Sequence, residues 1–117
     1  MATLVVTDDD PVTRFTIVRI LQKEGHTVLA FEDAAPALNE VNFSEVDLVI
    51  TDLEMPLLGE QFILILRERG IAMPVIVISA YLNEDRTRFL EGLGVHRFLV
   101  KPFKVSQLLT LVREIIE

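Results

Sequence analysis

The chain has 117 residues, which fits one domain and leaves little room for a second. Half of the residues are hydrophobic, a quarter are charged and none is cysteine. That is an ordinary globular composition; it excludes a disulfide scaffold and a cysteine-based zinc site or nucleophile, and it fits a reducing cytoplasm. A formal net charge of −7 argues against nucleic acid as a direct partner and fits a domain that gathers carboxylates around a cation. No apolar stretch approaches the ~20 residues needed to span a bilayer. Met1-Ala2-Thr3 also lacks the basic start of a signal peptide.

In chain order, the pattern predicts strands near 3–7, 27–31, 46–51, 74–79 and 97–100, alternating with helices near 11–24, 34–42, 60–69, 84–92 and 105–116. Asp10 is a natural N-cap for the first helix, with Pro11 at its first position and Gly25 as its stop. The third helix carries five consecutive apolar residues, Phe62 to Leu66. A helix lying on a sheet buries only a stripe, so these residues with Leu57 and Leu58 point either to an exposed patch for a homodimer or partner, or to extra burial between helices. The last helix places Val105, Leu108, Leu109, Val112, Ile115 and Ile116 on one face. Strands that are apolar almost without alternation expect helices on both sheet faces. The resulting expectation is α/β, one three-layer domain over residues 1–117 with a five-stranded parallel sheet.

Four of the apolar runs end in polar groups: Asp8-Asp9-Asp10, Asp52, Ser79 and Lys101-Pro102. In the flavodoxin-like strand order 2-1-3-4-5, ligands sit beyond the carboxyl ends of the strands, between the first and third. Asp8, Asp9 and Asp52 fall there. Two unit charges about 4 Å apart repel by about 4 kcal/mol at an effective dielectric of 20. A cation relieves that repulsion, and Mg²⁺ (or Mn²⁺) suits oxygen ligands with room left for substrate phosphate. Asp9 is the expected direct ligand, with Asp8 direct or through water, one oxygen of Asp52, and a backbone carbonyl near Glu54. The free oxygen of Asp52 would act as nucleophile toward phosphorus, with Lys101 and Ser79 stabilising the phosphoryl oxygens. Neither His26 nor His96 is placed to take part.

These segments, Leu4 to Pro11, Asp47 to Pro56, Pro74 to Ala80 and Phe98 to Phe103, resemble the receiver domain of two-component response regulators along essentially the whole chain. The resemblance implies phosphorylation of Asp52 by a histidine kinase or histidine phosphotransfer protein, with Mg²⁺ required. It implies a cis Lys101–Pro102 peptide, a switch in which Ser79 moves and Phe98 rotates inward, and a cytoplasmic location. A readout face for a downstream output domain or target protein is expected on the fourth helix, fifth strand and fifth helix. The fourth helix has a thin apolar face (Phe89, Leu90), which suits a mobile element.

Two departures from the family pattern stand out. After Met55-Pro56 the usual Asp-Gly pair is replaced by Leu57-Leu58-Gly59-Glu60, and only Gly59, displaced by one position, readily adopts positive φ. Glu54 and Tyr81 occupy positions that tune phosphoryl lifetime in the family, and a carboxylate with a bulky ring is expected to hinder attacking water. Two other functions compete: a pseudo-receiver that signals without phosphorylation, and an aspartyl-phosphate phosphatase of the haloacid dehalogenase type. The intact Asp8, Asp9, Asp52, Ser79 and Lys101 set weighs against the first. A nucleophile on the third strand instead of the first, with no cap insertion, weighs against the second. The chain is expected to be either a stand-alone receiver or a piece of a longer regulator.

Overall fold

A computed structural model describes residues 1–116. The elements in order are β1 (Thr3–Thr7), α1 (Pro11–Lys23), β2 (Thr27–Phe31), α2 (Ala34–Glu40), a 3₁₀ turn (Phe43–Glu45), β3 (Leu48–Thr51), α3 (Gly59–Glu68), β4 (Val75–Ser79), α4 (Glu84–Gly92), β5 (Arg97–Val100) and α5 (Val105–Ile116). The strands form one five-stranded sheet, β2-β1-β3-β4-β5, and every pairing is parallel. This is the expected flavodoxin-like architecture. Among the described residues, no helix is long and apolar enough to cross a membrane.

The uninterrupted apolar strands resolve into two cores because successive side chains point to opposite faces. Leu4, Val6, Leu48, Ile50, Ile76 and Ile78 pack with Ile17 and Leu21 of α1 and with Leu108 and Val112 of α5. Val5, Val49, Val75 and Val77 face the other way, against Ala34 and Ala37 of α2, Phe62, Ile63 and Leu66 of α3, and Leu90 of α4.

Three local differences from the sequence pattern have physical causes. Helix α2 stops at Glu40, two residues early, because Val41 is extended (φ −96°, ψ 133°) and Asn42 caps the following 3₁₀ turn through Ser44 N. Strand β3 begins at Leu48 and not at 46, since that turn delivers the chain late to the sheet. Helix α3 starts one residue early, at Gly59.

Three of the five residues in the apolar run of α3 are core. Phe62, Ile63 and Leu66 are fully buried, with Phe62 edge-on to Phe43 at 5.9 Å, and Leu57 packs against the same core. Leu58 is the exposed member of the expected patch. Leu64 and Ile65 are only partly buried, so the run is part core and part surface. Helix α4 does have a thin apolar face: Leu90 is buried and Phe89 about half-exposed.

Candidate functional site

Each strand end contributes one part of the site. After β1, Asp8 is buried and Asp9 exposed. Asp8 Oδ1 accepts the Asp10 amide at 2.9 Å, which orients it, and Arg14 of α1 donates to the Asp8 carbonyl at 2.8 Å. Asp10 belongs to the helix: it accepts Val12 N at 3.3 Å and the Thr13 hydroxyl at 2.5 Å. That hydroxyl bond holds the exposed Asp10 carboxyl below its usual range.

After β3, Asp52 is buried. Its Oδ1 accepts the amides of Leu53 at 2.7 Å and Glu54 at 3.3 Å. Beneath it the buried Thr7 hydroxyl donates to Thr51 Oγ1 at 2.6 Å, which in turn donates to the Asp52 carbonyl at 2.7 Å. This pair ties the ends of β1 and β3 together.

Ser79 ends β4 fully buried, and its Oγ accepts the Tyr81 amide at 3.0 Å. The Lys101 amide bonds the Ser79 carbonyl at 3.0 Å, and the Lys101–Pro102 peptide is cis. The Lys101 ammonium lies 2.9 Å from Asp8 Oδ2 and 3.0 Å from Asp52 Oδ2. Burial pushes this ammonium down, but pairing with Asp8 and Asp52 outweighs burial and leaves it above the ordinary lysine value.

Carboxylate oxygens of Asp8, Asp9 and Asp52 lie within 4.8 Å of one another. Burial pushes the Asp8 carboxyl up from its ordinary value; Lys101 and the Asp10 amide only partly offset that, and the Asp52 charge adds to it. Asp8 Oδ2 is buried and takes no aligned hydrogen bond; its 2.9 Å contact with Lys101 is an ion pair. A buried anionic oxygen left with spare valence beside two further carboxylates fits a hard divalent cation such as Mg²⁺.

The structure brings together Asp8, Asp9, Asp52 and Lys101, with Ser79 at the adjoining strand end. The peripheral residues lie differently. Phe98 is half-buried against the α2–α3–α4 core. The Tyr81 ring is 70% exposed. Glu54 turns its carboxylate to Arg86 of α4 in a direct ion pair. Gly59 does not use positive φ; the glycines that do are Gly25, Gly70 and Gly94. It is needed because a Cβ at this position would run into the Asp52 carbonyl and Leu53.

Sequence reasoning missed Arg86. It donates to both Glu60 oxygens, at 2.5 and 3.0 Å, to Glu54, and to the Tyr81 carbonyl at 2.9 Å. Burial alone would push Glu60 up, but Arg86 holds its carboxyl below the usual glutamate value, and Glu60 and Glu54 hold the guanidinium well above its own. One signal was available: Arg86 sits in the first turn of α4, three residues after its N-cap Asn83, where a cation opposes the helix dipole. Asp33 was missed too; it leaves α2 uncapped and accepts the Leu57 amide at 3.1 Å, bracing the loop that follows Asp52.

Comparison with known proteins places this geometry. Over 112 residues the chain is 30% identical to the DNA-binding transcriptional regulator NtrC of Proteus hauseri, covering 95% of the chain and 24% of that protein. It is 34% identical to the two-component response regulator PhoP of Pseudomonas aeruginosa, covering 90% of the chain and 47% of PhoP. It is also 34% identical to the sensor kinase CckA of Brucella abortus, covering 99% of the chain and 13% of CckA. The chain thus spans less than half the length of these relatives. Among solved structures, a response regulator receiver protein from Pseudomonas putida superposes with a TM-score of 0.85 at 31% identity, covering 97% of this chain and 96% of that one. The chemotaxis protein CheY4 of Vibrio cholerae, at 24% identity and a TM-score of 0.90 over 99% of both chains, shares the fold. Residues 4–113 match the family profile described as the response regulator receiver domain, and with the parallel sheet and the acidic cluster at its switch point the chain belongs to that family.

Proposed function

We propose that this domain is a phosphorylation-activated switch in which Asp52 accepts a phosphoryl group from a histidine kinase or histidine phosphotransfer protein. The observation that carries this is the Lys101 ammonium held between Asp8 and Asp52, at 2.9 and 3.0 Å, beside the three-carboxylate cluster. A carboxylate oxygen of Asp52 attacks phosphorus, the P–N bond to the donor histidine breaks, and the imidazole leaves. Positioning and charge neutralisation supply most of the rate, so the chain needs no general base. Lys101 meets the phosphoryl oxygens with positive charge, and Ser79 donates a hydrogen bond to one of them. Asp8, Asp9, Asp52 and the Glu54 carbonyl would hold Mg²⁺, which supplies further neutralisation of the transferring group when bound.

Exposed Val12 of α1, which lines a pocket with Asp10 and Lys101, offers an apolar surface to the phosphodonor. The output is read from the face of α4, β5 and α5 by an output domain or target protein, after Ser79 and Phe98 rearrange. Glu54 and Tyr81 set how long the acyl phosphate lasts. That role requires the Glu54 carboxylate, here paired with Arg86, and the Tyr81 ring, here 70% exposed, to turn toward the phosphoryl group. Hydrolysis that is accelerated by Glu54→Asn with Tyr81→Ala supports that role; hydrolysis unchanged in the double variant refutes it.

The deciding test is incubation with acetyl phosphate and Mg²⁺ followed by intact mass. Wild type is expected to gain one phosphoryl group, and Asp52→Ala none. No gain in wild type, with a cognate kinase as well as with acetyl phosphate, would make the domain a phosphorylation-independent interaction module.

A further inference from the structure

One guanidinium gathers four acceptors at the rim of the Asp52 pocket: both oxygens of Glu60, one oxygen of Glu54 and the carbonyl of Tyr81. These acceptors belong to the loop after β3, the first turn of α3 and the loop after β4. Arg86 therefore fastens α4 to both loops that border the phosphoacceptor. The Arg86 and Glu60 side chains are only 20% and 17% exposed, so their bidentate pair is partly dehydrated and holds its geometry. The Glu54 amide meanwhile donates to Asp52 Oδ1 at 3.3 Å, so the main chain of Glu54 lines the pocket while its carboxylate is drawn aside. Among the described residues, the clustered carboxylates are Asp8, Asp9 and Asp52, and Glu54 is not one of them.

We propose that Arg86 is a positioning residue for the phosphoacceptor site, holding the Glu54 carboxylate on α4 and away from the Asp8–Asp9–Asp52 cluster. This rests on the proposed phosphoacceptor role, but the metal-binding consequence can be read without phosphorylation. Freed from Arg86, Glu54 becomes an additional carboxylate, without a cation of its own, next to a site that already holds three. Its charge draws a divalent cation in and repels an anionic phosphodonor. Because Arg86 is on α4, any displacement of the first turn of that helix moves Glu54 with it. Occupancy of the site and the position of α4 are thereby linked through one side chain.

The test is Mg²⁺ titration by calorimetry on wild type, Arg86→Gln, Glu54→Gln and the double variant, with acetyl phosphate labelling rates in parallel. Arg86→Gln is expected to bind Mg²⁺ roughly fivefold tighter and to label roughly fivefold more slowly at saturating Mg²⁺, after discounting for the partial exposure of Glu54. Both shifts are expected to vanish in the Glu54→Gln background, which a merely structural role would not produce. Arg86→Lys keeps the charge and is expected to restore most of the wild-type Mg²⁺ affinity; it also serves if Arg86→Gln does not fold. Unchanged affinity in Arg86→Gln, or a shift that persists without the Glu54 carboxylate, overturns the proposal. Wild type that binds Mg²⁺ but never labels overturns the phosphoacceptor reading alone and leaves the calorimetric comparison standing.

Discussion

Replacing Gly59 by alanine tests whether the loop after Asp52 depends on close backbone approach. A Cβ built at Gly59 would lie 2.7 Å from Leu53 Cδ2 and 2.8 Å from Leu53 Cα, and closer still to the Asp52 carbonyl oxygen. Real Cβ atoms essentially never come within 3.0 Å of such neighbours, and two of these three are backbone, so the loop itself must shift. Overpacking of this kind costs about 1–3 kcal/mol. Alanine returns up to ~1 kcal/mol through helix propensity and the unfolded chain. The net expectation is a loss of about 1–2 kcal/mol, or roughly 3–10 °C in Tm for a domain this size. Gly92, in α4 with no atom within 4 Å of its would-be Cβ, is the control. Gly92→Ala is expected to leave Tm unchanged or raise it by a few degrees. Thermal denaturation by circular dichroism reads both, and the acetyl phosphate labelling rate reads whether Asp52 has moved. Gly59→Ala as stable as wild type, and labelled as fast, would refute the close-approach argument.

Two further expectations concern charge. Glu60→Gln is expected to cost about 1–2 kcal/mol at pH 7 by removing one partner of a partly dehydrated pair. The Glu60 carboxyl titrates below its ordinary value of 4.5, so its contribution is complete above that value and is lost as pH falls through the depressed one. The gap in Tm between wild type and Glu60→Gln should therefore close in acid; a gap constant from pH 7 to pH 3 would contradict the pairing. Asp8 behaves oppositely. Burial holds its carboxyl above the ordinary 3.8, so ionised Asp8 costs stability at neutral pH and that cost is relieved as pH falls. In a chelator at pH 7, Asp8→Asn is expected to raise Tm by roughly 2–4 °C, whereas added Mg²⁺ should stabilise wild type and not the variant. A lower Tm for Asp8→Asn in chelator would refute the burial argument.

Much of this protein is local in its chemistry and therefore readable along the chain. Apolar runs ending in Asp8, Asp52, Ser79 and Lys101 specify strands and the groups at their ends, and Asp10-Pro11 specifies where α1 begins, because each signal acts over a few residues. Parallel pairing with right-handed crossovers then brings those ends together whatever the loops do. The acidic cluster was legible for that reason. What the chain alone left open were contacts between elements distant in sequence. Which of Phe62 to Leu66 are core depends on the helices and the 3₁₀ turn, carrying Phe43, that pack against α3. Whether Gly59 serves positive φ or close approach depends on the Asp52 carbonyl lying beneath it. The direction of Glu54 depends on Arg86, 32 residues away on another helix. Such outcomes are decided by packing and by charge pairing across the sheet edge, and only the tertiary structure, by closing those distances, could select among them.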